Sequence, residues 1–128
     1  MSTLVLNMDV YRRELLKGST ETIILSLLES ESMYGYQLLR ETEKRSSGYF
    51  RLKEGTFYPA LHRLARVGLV EGDWRAAPNG QLRRYYRVTA RGHAKLTSML
   101  REWALFTKAV SLIADPIASL TRGVLASR

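Results

Sequence analysis

The stretch Leu52 to Glu71, LKEGTFYPALHRLARVGLVE, constrains this chain most, because its periodicity fixes both a helix and the side that must be buried. Between Glu54 and Val67, the apolar residues Phe57, Ala60, Leu61, Leu64 and Val67 recur at the three-and-four spacing of one helix face. The opposite face carries Thr56, Tyr58, Pro59, His62, Arg63 and Arg66. One side is therefore built for a core, and the other offers hydrogen-bond donors, an aromatic ring and two guanidiniums. Gly68 follows, the residue type that most readily takes the left-handed conformation closing a helix. Pro59 deletes a backbone donor, so the helix must begin shortly before it, with the ring within or just beyond the first turn. Taken alone, the stretch also fits an ordinary amphipathic surface helix. Its neighbours decide between the two readings.

The charge is distributed unevenly. Twenty Lys and Arg face twelve Asp and Glu, a net charge of +8. From Arg40 to Arg91 there are twelve basic residues and five acidic ones, net +7, so nearly the whole excess sits mid-chain. A localised basic excess is the electrostatic footprint of a polyanion partner. With 128 residues and 45% apolar content, the chain has material for one modest core. It has no cysteine, which removes disulfides, thiolate metal sites and cysteine nucleophiles together. No apolar run behind a basic start suggests a signal peptide, and none reaches the length of a membrane span. A soluble, cytoplasmic protein without membrane contact is expected.

In chain order, Leu4 to Leu16 predicts an amphipathic helix from about Asp9, ended by Gly18. Ser19 or Thr20 is placed to cap a second helix, whose run Ile23, Ile24, Leu25, Leu27 and Leu28 should make it the most buried of all. Glu29 to Met33 reads as a polar turn. Tyr34 to Ser46 reads as a third helix, with Tyr36, Leu39 and Glu43 on one line and Leu38 beside them. Ser46, Ser47 and Gly48 stop it, and Tyr49 to Lys53 leads into the helix described first. Helix, short connection, basic helix is the helix-turn-helix order.

Two strands follow. Val70, Gly72 and Trp74 alternate with charged neighbours, and the loop Ala76 to Gln81 holds the Pro and Asn-Gly signals of a hairpin. In the second strand, Leu82 to Val88, Tyr86 and Val88 should face in and Tyr85 and Arg87 out. A hairpin directly behind a helix-turn-helix, with Arg83 and Arg84 near its tip, is a wing. Thr89 caps a last helix whose stripe Leu96, Met99, Leu100, Trp103, Phe106, Val110 and Ile113 runs to about Ala114. At 1.5 Å per residue that helix is roughly 35–40 Å long. Its distal half is too long to bury Trp103, Phe106 and Val110 against its own domain, and a second copy would cover them. Asp115-Pro116 ends the helix, and the residues beyond fit a short helix or a frayed tail equally well.

The run GSTETIILSLLE, then MYGYQLL, EGTFYPALHRLARVGLVE, RRYYRVTARGHAKL and the Trp103 helix resembles the PadR family of bacterial transcriptional regulators, from about Leu15 to Ala114. The resemblance implies a mostly α fold with a small β-hairpin: a winged helix-turn-helix over residues 1–88 and a C-terminal dimerisation helix and tail over 89–128. Tyr34 to Ser46 would be the first helix of the motif, Glu54 to Val67 the recognition helix, and Leu69 to Val88 the wing. It further implies a homodimer that represses promoters by binding double-stranded DNA. Two recognition helices about 34–36 Å apart would read an inverted-repeat operator. Lys53, Thr56, Tyr58, Pro59, His62, Arg63, Arg66, Arg83 and Arg84 are the expected DNA contacts. Some members bind planar aromatic effectors through a tryptophan at what looks like the position of Trp103. Phe106, Met99 and Tyr11 would then line the rest of that pocket. The tail after Asp115 departs from the shorter members.

Two readings without DNA stand beside this one. An enzyme needs convergent titratable groups, and the two histidines, His62 and His93, fall on different helices without metal-ligand spacing. No catalytic residue, metal or cofactor is therefore expected. His62 suits a phosphate or base contact, and a plain surface histidine suits it as well. A winged helix used only for protein–protein contact needs no basic recognition face, and the mid-chain charge argues against it.

Overall fold

A computed structural model of the protein describes residues 8–115 together with Ile117 and Leu120. The elements are α1 (Met8–Leu16), α2 (Thr20–Ser30), β1 (Met33–Tyr34), α3 (Gly35–Arg45), α4 (Glu54–Arg66), β2 (Val70–Ala76), β3 (Leu82–Val88) and α5 (Ala90–Ile113). They divide into two compact units, 1–96 and 97–128. The expected residues Leu4 and Val5 lie outside the described part.

The core of the first unit is made where α2, α3 and α4 meet the sheet. Ile24, Leu25 and Leu28 of α2, Leu38 of α3, Phe57, Leu61 and Leu64 of α4, and Val70 are all buried. Each methylene so removed from water stabilises the fold by about 0.8 kcal/mol, so the apolar spacing in the sequence translates directly into packing. As expected, α2 contributes the largest buried share. It has no side-chain cap, however: Ser19 occupies the cap position, but its hydroxyl donates backwards to the Leu15 carbonyl at 3.4 Å. In α3 the buried residues are Leu38 and Thr42, while on the line of Tyr36, Leu39 and Glu43 both Tyr36 and Glu43 turn to solvent.

The hairpin expected from the sequence is part of a three-stranded antiparallel sheet, ordered β1-β3-β2. Met33 pairs with Tyr86 and Tyr34 with Tyr85. The expected polar turn therefore ends in a strand, and the third helix starts at Gly35 rather than Tyr34. The reason is burial: Met33 is fully buried, and pairing with β3 satisfies its backbone where no water reaches. The β2–β3 register runs from Val70↔Val88 to Ala76↔Leu82. As the alternation predicts, Tyr86 is buried and Arg87 exposed.

The long α5 starts in the first unit, where Gly92 and Leu96 are buried. The Gly92 N–H donates to the Thr89 hydroxyl at 3.0 Å, the cap read from the sequence. The rest of α5 belongs to the second unit. Apart from the half-buried Met99, its residues from Thr97 to Ile113 are exposed, including Leu100, Trp103, Leu105, Phe106, Val110 and Ile113.

A candidate nucleic-acid interface

Helix α4 positions most of the expected contacts. Phe57, Ala60, Leu61 and Leu64 anchor one face, as their spacing requires. Val67 does not join them. It is 50% exposed, because the helix ends at Arg66 and Val67 forms its cap. Gly68 then takes φ +80°, and the Leu69 N–H donates to the Leu64 carbonyl at 2.9 Å, which closes the helix in the Schellman pattern. Pro59 is the sixth residue of the helix, just past the first turn, where its missing donor affects only the bond back to Gly55.

At about 100° per residue, the outward side of α4 is centred on Gly55, Pro59 and Arg66. Tyr58 and His62 fall on one flank, and Thr56 and Arg63 on the other. Each of these is exposed except Tyr58, which is half-buried. A Cβ on Gly55 would meet nothing within 4 Å, so the backbone itself is bare there. Lys53 stands at the N-cap, exposed, and its carbonyl accepts the N–H groups of Thr56 and Phe57.

The two flanks have different surroundings. Tyr58 and His62 border a cleft of about 390 Å³ together with Tyr34, Tyr36, Arg83 and Arg84. The Tyr58 ring stands edge-on to Phe57, and burial, with smaller contributions from the Glu54 carboxylate and Tyr86, pushes its phenol above the ordinary tyrosine range. At neutral pH it is a protonated hydrogen-bond donor. On the other flank, the Arg63 guanidinium donates to Glu21 of α2 at 3.2 Å. Arg66 borders a separate depression with Glu21, Arg91 and Lys95.

The wing arginines are held by aromatic rings. Arg83 lies 4.3 Å over the Tyr34 ring, and Arg84 is 5.9 Å from both Trp74 and Tyr86. Strand alternation puts Arg83 and Arg84 on opposite faces of the hairpin. Arg75 shares the face of Arg83 and lies 5.1 Å over Tyr85. It also donates to Asp73, which holds that carboxyl below the usual range. Sequence reasoning missed Tyr34, Gly35, Tyr36 and Arg75. The Tyr-Gly-Tyr triplet was the available signal, an aromatic pair about the residue type that lets another group come close.

Of the residues expected to hold an effector, Met99, Trp103 and Phe106 lie on α5 and Tyr11 on α1. Trp103 and Phe106 are neighbours on α5, with ring centroids 6.2 Å apart and planes tilted by 31°. They are 53% and 60% exposed, and Met99 shares their unit. Tyr11 is on α1 of the first unit, also exposed. Among the described residues no group of three His, Cys, Asp or Glu is arranged to hold a metal, and no helix is long and apolar enough to cross a membrane. His93 pairs with Glu29 at 2.6 Å, which ties the start of α5 to α2.

Residues 24–98 match the family model described as the transcriptional regulator PadR-like family. The chain is 31% identical over 104 residues to an uncharacterized protein of Lysinibacillus sphaericus, covering 81% of this chain and 95% of that one. It is 34% identical over 85 residues to a transcriptional regulator of Mycobacterium tuberculosis, covering 66% and 76%. Among solved structures, a PadR-like transcriptional regulator from Bacillus cereus superposes with a TM-score of 0.71 at 32% identity, over 78% of this chain and 95% of that one.

Proposed function

The chain belongs to the PadR-like family of transcriptional regulators, and from that membership we propose that it is a dimeric repressor of the cytoplasm, bound to an inverted-repeat operator and released by a planar aromatic small molecule. The observation that carries the DNA-binding part is the shared cleft. Tyr58 and His62 of α4 and Arg83 and Arg84 of the wing border one surface, on a helix whose outward side is otherwise bare backbone, proline and arginine. Such a helix enters a major groove, while wing guanidiniums neutralise phosphates beside it. Arg66 and His62, the outermost polar side chains, are assigned to base edges or phosphates, and Arg84 to the backbone.

The exposed apolar row on α5 supports the dimer, since a second copy is the simplest cover for it. Trp103 and Phe106, with their faces partly open, support stacking on a flat aromatic molecule. Such a molecule would release DNA only by binding better to a dimer whose recognition helices are wrongly spaced.

The test is a gel shift with DNA flanking the protein's own gene. Arg66→Ala should cost about 1–3 kcal/mol if it reads a guanine. Arg84→Ala should weaken all sequences alike and lower the salt slope by about one. Wild-type affinity in both variants would refute this DNA face. The effector is read separately, as saturable quenching of Trp103 fluorescence by planar dyes in a Trp74→Phe background. A chain that sediments as a monomer while it binds tightly would refute the dimer.

A further inference from the structure

We infer that the basic side of α1 and the turn before α4 together form a seat for a backbone phosphate of DNA, next to the start of the recognition helix. The inference rests on the DNA-binding reading above and extends it to Arg12, Arg13 and Arg51, which that reading does not need. A cavity of about 510 Å³ lies between α1 and the segment from Gly48 to Lys53. Four cations border it, Arg12, Arg13, Arg51 and Lys53, against one carboxylate, Asp9.

The cations are placed rather than scattered. The Arg12 guanidinium lies 5.1 Å over the Tyr49 ring, and 3.5 Å from Asp9. Arg51 reaches Glu43 at 3.4 Å with its side chain 78% exposed. Arg13 and Lys53 have no carboxylate partner among the described residues. The turn that carries Arg51 is fixed by two successive left-handed residues, Ser47 at φ 53° and Gly48 at φ 81°. The Gly48 N–H donates to the Glu43 carbonyl at 2.8 Å, and the Phe50 N–H to the Ser46 hydroxyl at 2.9 Å. Exposed ion pairs contribute only about 0–1 kcal/mol, so an incoming phosphate can replace Asp9 or Glu43 at small cost.

Position selects DNA as the source of that phosphate. Lys53 immediately precedes α4, so whatever fills the seat lies beside the end of the helix assigned to the groove. A duplex in that groove runs its backbone past this end of the helix. Four cations against one carboxylate favour an anion over a neutral ligand in this cavity.

The experiment uses the full chain and a short fluorescent duplex of random sequence, with anisotropy followed over a salt series. Arg13→Gln and Arg51→Gln are both exposed positions, and unfolding midpoints of the variants check that the fold persists. The double variant should bind about eight-fold more weakly near 0.1 M salt, with the slope of log K against log salt shallower by about 0.9. Arg101→Gln, an exposed charge on the second unit, should change neither value. An unchanged slope in the double variant, beside salt-dependent wild-type binding, overturns the seat alone. An equal loss in Arg101→Gln also overturns it, since net charge would then explain the effect. Wild-type binding without salt dependence overturns the seat and the DNA-binding reading together.

Discussion

The Tyr58 ring lies against Gly35: a Cβ built there would stand 2.7 Å from Tyr58 Cε1 and 3.2 Å from its hydroxyl. The first residue of α3 thus makes the notch in which a recognition-helix tyrosine rests. Gly35→Ala must push the ring aside. Duplex affinity of Gly35→Ala should fall to that of Tyr58→Ala, and the double variant should fall no further. Full additivity in that cycle would mean the two residues act separately. Because burial raises the Tyr58 pKa, its contribution to stability is complete below the ordinary phenol value of about 10 and is lost as pH rises through the folded value. Tyr58→Phe should therefore reduce the alkaline loss of stability.

Arg63, one of the expected DNA contacts, is paired with Glu21 of α2. Half-exposed pairs of this kind hold little energy, so the pairing sets a competition rather than a lock. Glu21→Gln removes a negative charge beside the helix and releases the guanidinium. Its duplex affinity should rise a few-fold, with stability changed by less than about 0.5 kcal/mol. In an Arg63→Ala background the same substitution should give a smaller gain. Equal gains in both backgrounds, measured by anisotropy, would show that Arg63 takes no part in binding.

How much of this was legible in the sequence depended on how far each signal reached along the chain. Long periodic segments were readable: α2, α4, the β2–β3 alternation, the Gly68 stop and the Thr89 cap all follow from local spacing. Met33 and Tyr34 were not, because two residues cannot display an alternation, and their strand exists only through pairing with Tyr86 and Tyr85. Val67 fits the apolar spacing of α4 but falls one residue past its end, where spacing no longer decides burial. The candidate contacts on α4 were legible as a face. Its division into a Tyr58–His62 flank by the wing and an Arg63 flank by Glu21 was not, since both neighbours are distant in sequence. Nothing local marked Arg83 and Tyr34 as partners, although strand alternation alone would have separated Arg83 from Arg84.

Thr89 joins the end of the recognition helix to the start of α5 through one hydroxyl. That hydroxyl donates to the Gly68 carbonyl at 2.7 Å and accepts the Gly92 N–H at 3.0 Å. Gly68 is the left-handed residue that closes α4, so the cap of one helix is tied to the cap of the other. The packing leaves no slack: a Cβ on Gly92 would fall 1.9 Å from the Leu69 carbonyl oxygen. Thr89→Val keeps the shape but strands a donor and an acceptor at a half-buried site. It should cost about 1–3 kcal/mol, the range for a lost cap with unpaired polar groups. Thr89→Ser retains the hydroxyl and should cost clearly less. Urea unfolding of the two variants gives the comparison. If Thr89→Val unfolds with Thr89→Ser, within error, the double hydrogen bond is not what holds this junction.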